Sequence, residues 1–114
     1  MIVGVGVDIV DIKRIADLFS DAFLQRILTM NERELMRDMV IQRQIEFVAG
    51  RFAAKEAIIK ALPIKLHLSD VEVLYNEHGA PSCILENYTL LVSIAHEHDK
   101  AIAYALALKE ENHD

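Results

Sequence analysis

Cysteine, proline, glycine and tryptophan are all scarce in this chain of 114 residues, which has one, two, four and none of them respectively. The single thiol, Cys83, excludes an intramolecular disulfide and points to a reducing, cytoplasmic setting in which it serves as a small core residue. Long apolar runs are missing too, because charges interrupt every stretch before the roughly 18 residues that a membrane span needs. The apolar start, Met1 to Ile9, has no basic residues ahead of it and already contains Asp8, so it does not read as a signal peptide. There is no repeat, no low-complexity run and no Pro/Gly/Ser linker. One domain over residues 1–109 is expected, with a disordered tail at 110–114.

What is present is apolar: 53% of the residues are hydrophobic, enough for one compact but thin core. A site for a ligand as large as a nucleotide cofactor would be easier to enclose between subunits, so an oligomer is expected. The net charge of −6 is uneven. Ten of the twelve Lys and Arg lie between Lys13 and Lys65, so residues 1–65 carry about +1 and the remainder about −7. An anionic ligand should meet the first half, whereas general nucleic-acid binding needs a denser basic face than this chain offers.

Ile2 to Val10 reads as a strand, with Val3, Val5, Val7 and Ile9 on one face and Gly4, Gly6 and Asp8 on the other. Three short helices follow: one behind a cap at Asp11, one behind a cap at Asp21, and one opened by the Thr29–Glu32 capping box. Gln42 to Leu62 reads as one long helix stopped by Pro63. Val71 to Tyr75 with Pro81 to Leu85, and Thr89 to His96 with Ala101 to Leu108, read as two antiparallel hairpins. A strand, then helices, then four strands predicts an α+β domain with a mainly antiparallel sheet packed against the long central helix.

Asp8 follows two glycines on its strand face, so that no side chain there blocks a ligand or metal. Gly4-Val5-Gly6 is not a dinucleotide fingerprint, since the third glycine and the turn into a helix are absent. On the long helix Glu56 and Lys60 are four apart and share a face, with Arg51 and Lys55 at other azimuths. Taken singly, each has an ordinary reading: a strand-end carboxylate, an exposed ion pair, a surface histidine at His96. Together they suggest more. If Asp8 and Glu56 converge, two carboxylates with waters suit Mg²⁺, and Lys60 serves the same phosphates.

The blocks Gly4-Val5-Gly6-Val7-Asp8-Ile9 with Arg14, Arg26-Ile27-Leu28-Thr29 with Glu32, Glu46 through Ala57 with Lys60-Ala61-Leu62, and Val92-Ser93-Ile94-Ala95-His96 together resemble the holo-acyl-carrier-protein synthase family. They occur in that family's order and span nearly the whole chain. The resemblance implies a 4'-phosphopantetheinyl transferase-like fold, a homotrimer with interfacial active sites, and transfer of phosphopantetheine from coenzyme A to apo-acyl carrier protein. It implies Mg²⁺ on Asp8 and Glu56, catalysis by Glu56 and Lys60, and coenzyme A contacts from Arg51, Lys60, Ser93 and His96. Arg14, Phe23 and Arg26, with Lys13 and Leu24 nearby, would form a basic rim around an apolar anchor for the acidic carrier.

Two stretches depart from the family's pattern. Pro63-Ile64-Lys65-Leu66-His67 lacks the glycines of the usual loop, leaving Lys65 or His67 as side-chain substitutes for backbone contacts to phosphate. Ala95 and Glu97 replace hydroxyl residues beside His96, and an inward Glu97 would repel a phosphate. The competing reading is a non-catalytic module that binds coenzyme A or the carrier without transfer.

Overall fold

The computed structural model describes residues 1–111. Strand β1 (Ile2–Asp11) leads into helices α1 (Ile12–Leu18), α2 (Asp21–Ile27), α3 (Met30–Met36) and α4 (Ile41–Ala61). After a 3₁₀ turn at Leu68–Asp70 come β2 (Leu74–Tyr75), β3 (Pro81–Leu85), β4 (Tyr88–Glu97) and β5 (Lys100–Lys109). The sheet is wholly antiparallel in the order β1-β5-β4-β3-β2. The α+β expectation therefore holds. The two hairpins are joined, because β3 also pairs with β4 and β2 to β5 form one continuous meander.

Two of the three expected caps differ. Asp11 makes no capping bond, since its carboxylate takes the Lys100 ammonium instead. For α2 the cap is Ser20, whose Oγ accepts the Phe23 N–H, and Asp21 lies inside the first turn. The capping box of α3 forms as expected: Thr29 Oγ1 accepts from the Glu32 amide, and Glu32 Oε1 accepts from the Thr29 amide.

The glycine face of β1 is the core face. A Cβ on Gly4 would lie 1.8 Å from the Ala61 carbonyl oxygen, and one on Gly6 would lie 1.9 Å from that of Ala57. These glycines admit the backbone of α4, not a ligand, because only a residue without a Cβ allows so close an approach. Small residues continue the contact on both sides: Ala101, Ala103, Ala105 and Ala107 of β5 and Ala49, Ala53, Ala54, Ala57 and Ala61 of α4 are all buried. Ile15, Ile27, Val48, Ile58, Val71 and Val73 extend this core towards the short helices and the approach to β2. Cys83 is buried in it as expected, and burial pushes its thiol up to about 11.

Among the described residues no helix covers the opposite face of the sheet. Val5, Val7, Ile9, Leu91, Ile102 and Tyr104 are exposed there. No helix among the described residues is long and apolar enough to cross a membrane. Of the expected tail, residues 112–114 lie outside the described residues, and the Glu110 N–H donates to the Asn87 carbonyl.

Candidate active site

The approach of α4 to β1 sets the first cluster. Lys60, one turn after Glu56, reaches across and donates to Asp8 Oδ1 at 2.9 Å and to the Val7 carbonyl at 3.1 Å. Asp8 is 18% and Lys60 51% exposed, so the pair opens to solvent. Glu56 is half-buried on the same helix. A strand carboxylate and an ammonium thus meet where α4 crosses β1, and the Glu56 carboxylate lies one helical turn from that ammonium along α4. Asp8 and Glu56 are hard oxygen donors of the kind Mg²⁺ takes, and Asp8 already accepts a cation in Lys60. Among the described residues no group of three or more His, Cys, Asp or Glu is placed to hold a metal. A cation here would therefore draw its remaining oxygens from water and from substrate phosphates.

The second cluster lies along the first half of α4. Arg51 is buried, and its guanidinium carbon lies over the ring of Phe47, 4.3 Å to the centroid, and over that of Tyr75, 4.7 Å. Its Nε donates to the Val73 carbonyl at 3.0 Å, while one terminal nitrogen, Nη2, is buried without a hydrogen-bond partner. An arginine with an unmet terminal N–H is suited to bind an anion through that donor. Beside it opens a cavity of about 240 Å³ lined by Met39, Arg43, Glu46, Phe47, Arg51, Tyr75 and His96. His96 reaches it because Gly50 has no side chain: a Cβ there would press to 3.1 Å on His96 Nε2. That nitrogen donates to the Glu46 carbonyl at 3.0 Å. Sequence patterning missed Tyr75, because a residue brought in from β2 leaves no trace in the spacing of α4; Phe47 and Arg43, one and two turns before Arg51 on α4 itself, were not singled out.

The two clusters share one face of the sheet but not one place. Asp8 is on edge strand β1 and His96 on β4, with β5 between them, so about 10 Å of sheet separates the two strands. Ser93 is not brought to either cluster in this chain. It pairs with Tyr104 on the outward face of β4, opposite to His96. Glu97 turns away as well: its side chain is 77% exposed and lies near His98, so the feared repulsion does not arise.

Lys55 lies five residues before Lys60 and does something else. It is wholly buried and donates to Glu32 Oε1 at 2.5 Å, the Ile27 carbonyl at 2.6 Å and the Leu68 carbonyl at 3.1 Å. Burial lowers its affinity for the proton and Glu32 opposes that shift, the burial effect being the larger. Glu32 Oε2 accepts from the Val73 amide at 2.7 Å, so both partners of the pair are fully occupied. The capping box alone had accounted for Glu32, and nothing in the sequence spacing tied it to Lys55.

Arg14 on α1 lies over the Phe52 ring of α4, 5.9 Å to the centroid, one turn before Glu56. Phe23 is half-buried and Arg26 exposed on α2. Leu24, expected beside them as part of the surface anchor, belongs to the core because α2 turns that position inward.

Residues 4–109 match the 4'-phosphopantetheinyl transferase superfamily. The chain is 47% identical over 111 residues to the holo-acyl-carrier-protein synthase of Geobacillus kaustophilus, covering 90% of this chain and 86% of that one. It is 44% identical over 110 residues to the enzyme of the same name from Enterococcus faecalis, covering 90% and 94%. A crystal structure of the Bacillus anthracis synthase in complex with coenzyme A (3',5'-ADP) matches with a TM-score of 0.89 and 38% identity over 96% of this chain and 99% of that one. The Helicobacter pylori synthase in complex with coenzyme A matches with a TM-score of 0.79 and 33% identity over 91% and 99%.

Proposed function

The chain belongs to the 4'-phosphopantetheinyl transferase superfamily, and on that premise we propose that it transfers 4'-phosphopantetheine from coenzyme A to a serine of apo-acyl carrier protein, in fatty acid biosynthesis. The serine Oγ forms a bond to the phosphorus that bears pantetheine. The bond from that phosphorus to the bridging oxygen breaks, and adenosine 3',5'-bisphosphate leaves. The serine proton passes to a base, for which Glu56 or water is the candidate. Such a reaction asks the protein chiefly for positioning and for neutralising charge on phosphate.

The observation that carries this reading is the buried Arg51 Nη2, left without a hydrogen-bond partner beside a cavity on one flank of α4, while Lys60 bonded to Asp8 stands on the other. An extended ligand with phosphates at both ends fits that spacing. Arg51 and His96 bind one end, and Lys60 stabilises charge on the transferring or leaving phosphate. Asp8 and Glu56 would hold Mg²⁺, which when bound would supply charge neutralisation at the pyrophosphate.

Arg14, with Phe23 and Arg26, receives the acidic carrier beside Phe52. The bare apolar sheet face supports assembly with further copies, since a contiguous exposed patch of this kind marks an interaction surface. A homotrimer would cover it, and Ser93, which faces that way, contributes to coenzyme A binding only if the ligand lies across the boundary. The compartment on this reading is the cytoplasm.

Mass spectrometry of apo-acyl carrier protein incubated with the protein, coenzyme A and Mg²⁺ tests the proposal. The expected result is a phosphopantetheine mass gain that needs Mg²⁺ and is lost in Asp8→Ala and Glu56→Ala. Binding of coenzyme A with no gain would leave a non-catalytic binding module instead.

A further inference from the structure

Arg51 does not hold its own position in the second cluster. Its Nε is fixed by the Val73 carbonyl, and one of the two rings that stack on it, Tyr75, lies two residues further along the same segment. That segment is short of support from the sheet: β2 is just Leu74 and Tyr75, and among the described residues it pairs only with β3. What holds it is the first turn of α3. The Val73 amide donates to Glu32 Oε2 at 2.7 Å, while the preceding residue, Glu72, accepts from Thr29 Oγ1 and from Asn31 Nδ2.

We propose that Glu32 is a positioning residue for the anion pocket, setting the place of the Arg51 guanidinium through the two sides of Val73. One carboxylate oxygen fixes the Val73 N–H, and the Val73 carbonyl fixes the arginine. The buried Lys55, anchored by the Ile27 and Leu68 carbonyls, orients Glu32 by donating to its other oxygen, Oε1. A buried ion pair is a poor source of net stability compared with apolar side chains of the same volume. Its use here is directional: it aims an acceptor at Val73 from inside the core.

The inference rests on the reading that Arg51 binds coenzyme A, and the test separates the two. Glu32→Gln leaves a buried ammonium short of its partner and endangers folding, so the informative variant is Glu32→Leu combined with Lys55→Met, which removes the pair at similar volume. The expected result is a folded protein whose KM for coenzyme A rises about tenfold, the scale of a lost hydrogen bond that orients a charged group. Its KM for the carrier protein stays unchanged. In ¹H–¹⁵N spectra the Arg51 Nε–H signal loses its protection from exchange. A coenzyme A KM and an Arg51 signal both unchanged in the double variant, with Arg51→Ala still losing coenzyme A, would overturn the relay alone. Coenzyme A affinity unchanged in Arg51→Ala would overturn the pocket reading and the relay with it.

Discussion

Lys55 and Lys60 stand five residues apart on one helix, each bonded to one carboxylate, and the two pairs have opposite characters. Lys55 and Glu32 have no exposure, and every donor of the ammonium is satisfied by α2, α3 or the 3₁₀ turn. Lys60 and Asp8 are in contact with water, with the lysine side chain half exposed. The difference follows from azimuth. Five residues turn an α-helix by well over a full turn, enough to take one lysine under the short helices and the next to the rim beside β1. One pair ties the helical layer together, while the other leaves a cation and a carboxylate free to exchange partners with a substrate.

The largest effect on stability should come from breaking the buried pair on one side. Lys55→Ala strands the Glu32 carboxylate and leaves the Ile27 and Leu68 carbonyls without a donor, so a loss of about 3–5 kcal/mol is expected. Urea unfolding followed by circular dichroism measures it. Cys83 gives a second reading, because it is 5% exposed and its thiol is pushed up to about 11. An alkylating reagent at pH 8 should leave it untouched in the parent protein and label it in the variant. A variant as stable as the parent would erase the contrast between the two lysines.

A smaller effect is expected where α4 meets β1. Gly6→Ala puts a Cβ on the Ala57 carbonyl, and the strand or helix must shift. Overpacking of this kind costs about 1–3 kcal/mol. The displacement falls between Asp8 and Lys60 and spares the Lys55 side. Transfer activity should therefore drop while Cys83 stays protected; loss of that protection would mean that the two sides of α4 are not independent.

How much of this was legible in the sequence differs along the same lines. Alternation and caps gave β1, the three short helices, α4 and the later strands, because those signals are local. Gly4 and Gly6 were seen, but their purpose was not: whether a bare strand face meets a ligand or a helix backbone depends on residues more than fifty positions away. Asp8, Glu56 and Lys60 could be grouped from the residues only on the condition that strand and helix converge, and the resemblance supplied that condition. Lys55 looked like one more helix cation, since its burial is decided by Ile27, Glu32 and Leu68. The stacked Arg51 was half legible: its charge was noted, while Tyr75 and Val73, which position it, reach it from another element.

The sharpest test of the comparison is the exposed lysine, where stability should barely move. Lys60→Ala removes one bond to Asp8 and one to the Val7 carbonyl, both in contact with solvent. Exposed pairs of this kind contribute about 0.2–1 kcal/mol, and water replaces the lost donor, so an unfolding free energy within about 0.5 kcal/mol of the parent is expected. Transfer, by contrast, loses a cation placed to meet developing phosphate charge, for which a drop of about 10²–10³ in kcat is typical. The two measurements on one variant separate the roles: stable and slow supports Lys60 as part of the reacting surface, whereas unstable and slow would make it a second structural lysine. Parent-like values for both would leave Asp8 without its proposed partner in catalysis.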